Sequence, residues 1–137
     1  MTSDGTYLYV SDGSDNIYVW QPEGDTMKEI RVLQVKDKYG DAVSKVNELE
    51  FIGGEIWANV WFKTDIIRLN VETGQINQTI NLSGLIQHVD NLKQLSGNQK
   101  YNAVMNGIAY NPHNRHVYVT GKLWDTTFEL DFPTLLT

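Results

Sequence analysis

The sequence predicts an all-β fold, a set of four-stranded antiparallel sheets of the β-propeller kind. Three observations predict it. The four Trp, seven Tyr and four Phe lie largely in short runs where apolar and polar residues alternate, the pattern of a strand with one face buried. Turn-forming pairs punctuate those runs: Asp4-Gly5, Asp12-Gly13, Gly53-Gly54, Thr73-Gly74 and Asn111-Pro112. Gly supplies the positive φ of tight turns, and Asp or Asn bonds its own backbone there. Finally, one strand–turn–strand unit is written three times, the mark of a repeat architecture.

The first unit is Tyr7 to Trp20, YLYVSDGSDNIYVW, followed by Glu29 to Val35, EIRVLQV. The second starts at Asn47 with NELEF, turns at Gly53-Gly54, runs from Ile56 to Asn70 and is followed by Ile76 to Leu82, INQTINL. The third pairs Asn106 to Tyr110, NGIAY, with Val117 to Asp131, VYVTGKLWDTTFELD. Tyr9, Trp57 and Tyr118 occupy matching places. Four strands in roughly 50 residues is the dimension of a propeller blade. The expected layout is one partial propeller domain over 1–137, with blades at roughly 1–40, 41–84 and 100–137 and a helical insertion at 83–100. In that insertion Leu85, Ile86, Val89, Leu92 and Leu95 fall near a helical period, with Ser83 placed to cap the helix and Gly97 to end it. Met1-Thr2-Ser3 is too short for the inner strand that the other two units possess. Three blades do not close a ring, since propellers use about four to eight. The chain is therefore expected to be the C-terminal part of a longer protein, its missing blades coming from the rest of that protein or from a separate chain.

The 137 residues allow one small domain with a core of its own. The composition is that of an ordinary globular protein, 41% hydrophobic and 20% charged. The net charge of −6 and scattered basic residues exclude a nucleic-acid surface, which needs clustered Lys and Arg. No apolar run reaches the length of a helical membrane span. Without cysteine there are no disulfides, thiolate metal sites or thiol nucleophiles.

NELEFIGGEIWANVW, then TGQI and NLSGL, then NGIAYNP and VYVTGKLW, in that order, resemble the plant and bacterial type of glutaminyl-peptide cyclotransferase, or glutaminyl cyclase. The resemblance covers nearly the whole chain. It implies a five-bladed propeller that converts an N-terminal glutamine of a peptide or protein to pyroglutamate and releases ammonia. It also implies that the family's first two blades, and with them its general acid-base glutamate, are absent from this chain, which alone is expected to be inactive. The chain departs from the family pattern in reading ANVWFKTD where ANVWQTD is usual, and in carrying Asp125 where a Pro often follows GKLW.

Cyclising glutamine requires three things. The α-amine must lose a proton as it attacks the γ-carbonyl, the carbonyl oxygen must be stabilised as an oxyanion, and the departing nitrogen must gain a proton. Holding the substrate folded on itself accounts for much of the acceleration. Asn47 opens an inner strand, and the resemblance makes it a substrate-binding and catalytic residue that donates to the γ-carbonyl or accepts from the amine. Its repeat counterpart Asn106 favours a shared structural use for both. The resemblance makes Trp61 an apolar wall of the glutamine pocket, and Lys122 the cation facing the developing oxyanion. Trp124 is a further candidate for a pocket wall, with packing as its plainer use. Glu48 and Glu50 share a face of their strand by period two, and Glu48 is expected to meet an Arg, a Lys or a backbone donor.

Weaker signals complete the sequence. SDGSDN, Ser11 to Asn16, has the look of a calcium loop but lacks the bidentate Glu of an EF-hand; it reads as a turn. His113 and His116 are too close together, and too isolated, for a metal site. No cofactor is expected for catalysis, and a structural calcium ion is allowed but not indicated. Asn77-Gln78-Thr79 and Asn81-Leu82-Ser83 are glycosylation sequons, which together with the resemblance point to a secretory or extracellular location. The competing function class is a non-catalytic propeller that binds peptides or proteins.

Overall fold

A computed structural model describes residues 1–132. They form three antiparallel sheets. The first contains β1 (Thr2–Ser3), β2 (Leu8–Ser11), β3 (Asn16–Glu23) and β4 (Thr26–Gln34). The middle sheet contains β5 (Val46–Ile52), β6 (Glu55–Val60), β7 (Asp65–Asn70) and β8 (Ile76–Asn81). The third contains β9 (Met105–Asn111), β10 (His116–Gly121) and β11 (Phe128–Leu130). Within each sheet, strands consecutive in the chain are neighbours, as short turns dictate.

The middle sheet is packed on both faces. Leu49, Ile56, Ala58 and Val60 join a core with Tyr9, Ile17, Val19 and Leu33 of the first sheet. Trp57 and Ile66 join a second core with Met105, Ile108, Val117 and Val119 of the third. This is why EIWANV reads as an almost unbroken apolar run: a strand buried on both sides cannot alternate. Burying each of the Leu, Ile and Val side chains among them contributes about 1.5–3 kcal/mol.

The edges of β5 and β9 are closed by side chains from the neighbouring sheets. Phe51 N–H donates to Thr2 Oγ1 at 2.9 Å. Ile108 N–H donates to Glu48 Oε2 at 2.8 Å, and Tyr110 N–H to Glu50 Oε1 at 3.2 Å. An edge strand presents unpaired N–H groups, and these carboxylates satisfy two of them; Glu48 meets a backbone donor as expected, and Glu50 does the same. Burial pushes both carboxyls above the ordinary range, opposed by these same hydrogen bonds.

Three expectations need correction. Residues 2–3 do form a strand, pairing Thr2 with Tyr9 and Ser3 with Leu8, because a two-residue ladder suffices once Phe51 N–H bonds Thr2. The third sheet shows three strands, not four, among the described residues. The insertion is not a single helix but two 3₁₀ segments, Ser83–His88 and Asp90–Gln94, and a six-residue helix α1, Gly97–Asn102. Ser83 Oγ donates to Asn81 Oδ1 at 2.6 Å instead of capping. Gly97, at φ +55°, opens α1 and does not end the insertion. Of the apolar residues in that period only Val89 is fully buried, too narrow a stripe to hold one continuous helix against the sheets. No helix among the described residues is long and apolar enough to cross a membrane.

Candidate functional site

The three sheets share one end at which β2, β6 and β10 finish and β3, β5, β7 and β9 begin. A cavity of about 280 Å³ opens there, lined by Ser11, Asp12, Gly13, Asn47, Trp61 and Lys122. Each sheet contributes to its wall. Larger hollows lie elsewhere, one beside Asp37–Tyr39 and β8, one beneath the 3₁₀ segments, and neither is lined by any of these six residues.

Asn47 is half-buried at the start of β5. Its backbone carbonyl accepts the Ser11 hydroxyl, which ties the middle sheet to the β2–β3 turn. Its Nδ2 donates to Asn106 Oδ1 across to the third sheet at 3.2 Å. That bond orients the carboxamide: the nitrogen is engaged, and the carbonyl oxygen has no protein partner among the described residues. The repeat counterpart is thus a direct neighbour of Asn47. Behind the pair, fully buried Asn59 accepts the Gly107 N–H through Oδ1 at 2.9 Å. Asn59 Nδ2 is buried without a partner.

Trp61 follows β6, 37% exposed, with its N–H donating to Lys45 O at 2.8 Å. Lys122 follows β10, its N–H donating to Val104 O at 2.9 Å. Its ammonium lies 6.0 Å from the centre of the Trp61 ring, within cation–π range, and has no carboxylate partner among the described residues. Among the described residues, the non-glycine residues at positive φ are Lys45 (+65°), Phe62 (+67°), Leu123 (+60°) and Arg115. The first three each stand within two residues of Asn47, Trp61 or Lys122. The left-handed region costs a side-chain-bearing residue roughly 1–2 kcal/mol, and such residues gather at functional sites.

On the first sheet's side stands Asp12. Its Oδ1 accepts from the Ser14 hydroxyl at 2.6 Å and the Ser14 N–H at 3.0 Å, and its Oδ2 from the Tyr18 hydroxyl at 3.1 Å. The Ser14 hydroxyl and N–H, with help from Tyr18, hold this carboxyl below the ordinary range. The cavity is therefore polarised, anionic toward the first sheet and cationic toward the third. SDGSDN is a turn, as its sequence indicated, yet three of its residues line the cavity. Sequence reasoning missed them because turn formation already accounted for every polar group in the motif. Asn59 was missed as well; only its place as the one polar residue before Val60-Trp61 in a buried strand signals it.

Trp124 lies away from the cavity. Its Nε1 donates to Ala103 O at 3.0 Å, its ring meets Phe128 edge-on at 6.3 Å, and it packs against the second core. Gly121 lies directly beneath the ring, so a Cβ there would stand 2.3 Å from Trp124 Cε2. Trp124 packs over the turn that carries Lys122 and is not among the residues lining the cavity. Among the described residues no group of three or more His, Cys, Asp or Glu is placed to hold a metal ion.

A family model described as glutamine cyclotransferase matches residues 1–132. The chain is 34% identical over 135 residues to a glutaminyl-peptide cyclotransferase of Arabidopsis thaliana, covering 95% of this chain and 38% of that protein. Its fold is similar to the crystal structure of Myxococcus xanthus glutaminyl cyclase, with a TM-score of 0.81 and 33% sequence identity, covering 93% of this chain and 51% of that one. The chain thus spans about two-fifths of the plant protein and half of the bacterial structure.

Proposed function

The chain belongs to the glutamine cyclotransferase family, and from that premise we propose that it serves glutaminyl-peptide cyclisation. In this reaction the α-amine of an N-terminal glutamine attacks its own γ-carbonyl carbon. The new C–N bond closes pyroglutamate, and the C–N bond to the side-chain amide breaks to release ammonia. The substrate is a peptide or protein beginning with glutamine.

The observation that carries this reading is the convergence of Asn47, Trp61 and Lys122 on one cavity from separate turns of two sheets. Lys122, free of a carboxylate, is the group that stabilises the oxyanion formed at the γ-carbonyl. Asn106 engages the Asn47 nitrogen, so the Asn47 carbonyl oxygen accepts from the attacking amine and aims it. Trp61 walls the pocket and excludes water, which strengthens both electrostatic contacts. Asp12 is a weak base because its oxygens are already hydrogen-bonded. It suits attraction of an ammonium and leaves proton transfer to a base outside these residues. For that reason the isolated chain is proposed to be inactive.

The three sheets are proposed to be neighbouring blades of a five-bladed propeller. Supporting this, Leu8, Val10, Tyr18, Trp20 and Val32 share the face of the first sheet turned away from the middle sheet, and Val32 is 44% exposed there. An apolar face of that kind is suited to a further sheet.

Incubating the full-length protein with a Gln-initiated peptide and following its mass tests the proposal. Loss of one ammonia, persisting in the presence of a chelator, is expected. Binding without any mass change would favour the peptide-binding module; a zinc-dependent reaction would contradict the assigned chemistry.

A further inference from the structure

Trp61 is the first ring of a ladder that leads out of the cavity. Phe62 stacks on it, ring centres 4.5 Å apart and planes 27° apart. Tyr101, from α1, meets Phe62 at 5.1 Å. Lys45 lies 5.8 Å from the Phe62 ring centre and Lys122 6.0 Å from that of Trp61. All three rings are surface groups, with Phe62 38% and Tyr101 67% exposed. Phe62 sits at φ +67°, a backbone conformation that disfavours a bulky side chain.

We infer that this ladder is a subsite for the residue following the reactive glutamine, and that it selects an aromatic side chain there. The inference rests on the proposed cyclisation. Charge complementarity sets the direction of the bound peptide. Its only obligatory cation, the α-ammonium, is drawn toward Asp12 on the first sheet's side. The chain beyond the glutamine then leaves on the opposite side, past Trp61, with its carbonyl oxygens facing Lys122 and Lys45. An extended residue advances about 3.3 Å, so the second side chain arrives at Phe62 and the edge of Tyr101. Trp61 is shared by pocket and ladder, which makes the two surfaces continuous. An aromatic side chain there gains edge or offset ring contacts as well as burial.

The test compares kcat/KM of the full-length protein for Gln-Phe-Ala and Gln-Gly-Ala. The aromatic peptide is expected to be favoured by about 3- to 10-fold, mostly through KM. Phe62→Gly should bring the ratio close to one. Folding is protected in that variant because glycine is at ease at φ +67°. Tyr101→Ala, at an exposed position, should lower the ratio by about half. Equal kcat/KM for the two peptides, or a preference unchanged in both variants, overturns the subsite while leaving cyclisation standing. If neither peptide is converted, the cyclisation proposal fails and the subsite fails with it.

Discussion

Replacing Glu48 with Ala tests how the middle and third sheets are held together. The Glu48 carboxylate accepts the Ile108 N–H at 2.8 Å, and Ile108 lies on β9, an edge strand with no further strand paired to it among the described residues. Losing a hydrogen bond to a charged acceptor costs about 1.5–3 kcal/mol. Part of this is recovered, because burial already disfavours the charged carboxyl. The expected net loss at neutral pH is about 1–2 kcal/mol, a fall in Tm of roughly 3–8 °C. Glu48→Gln keeps an oxygen acceptor without the charge and should lose less. The two variants also differ in pH dependence. The folded-state pKa of Glu48 lies above its ordinary value of 4.5, so the folded state binds the proton more tightly than the unfolded chain does. Stability from this group is therefore greatest below that ordinary value and falls as pH rises through it toward the folded pKa. Asp12 and Glu129 are held low and act in the opposite sense, so the informative quantity is the difference between wild type and Glu48→Gln. Urea denaturation from pH 4 to 7 should show the Gln variant gaining on the wild type as pH rises. A constant difference across that range, or an Ala variant as stable as the wild type, would refute the carboxylate's role as a clasp between sheets.

In the full-length protein, Lys122→Ala should lower kcat by about 10²-fold or more, read from initial rates of ammonia release; an unchanged rate would remove its assigned role. Asn106→Ala should reduce kcat/KM by freeing the Asn47 carboxamide to rotate. A double-mutant cycle checks this: once Asn106 is gone, Asn47→Ala should cost less than it does alone. Gly121→Ala would place a Cβ 2.3 Å from the Trp124 ring and should destabilise by about 1–3 kcal/mol, with a shift in tryptophan emission as the ring moves.

Much of the architecture was legible because apolar alternation and turn pairs act locally. NELEFIGGEIW could only be a hairpin: Gly53 and Gly54 take positive φ, and the apolar period changes from alternating to continuous where β6 enters the middle of the stack. Asn47, Trp61 and Lys122 were singled out through the resemblance, and sheets fanning about one axis implied that they meet at one mouth; the part played by Ser11, Asp12 and Gly13 could not be read, since it depends on how the sheets dock. The bond from Asn47 to Asn106 was hidden for the same reason; the repeat that suggested two separate backbone contacts in fact brings the two amides together. The 83–102 connector was misread because its apolar spacing suits a helix, while Asn81 draws Ser83 away from the cap and Gly97 adopts a left-handed conformation. Packing was already the plainer reading of Trp124 in sequence; its bond to Ala103, its contact with Phe128 and the space left by Gly121 together fix where its ring rests.

The cavity's walls come from three sheets that share no strand, and the sheet bearing Lys122 is reached through a connector in which only Val89 and Ala103 are fully buried. Cooperative melting of the whole chain is not required to disable such a site. A slight loosening of the last sheet would carry the ammonium out of range while nearly all backbone hydrogen bonds persisted. In the full-length protein, turnover of the proposed cyclisation should therefore fade at lower denaturant than the far-UV circular dichroism does, an early warning of fraying that bulk spectroscopy would overlook.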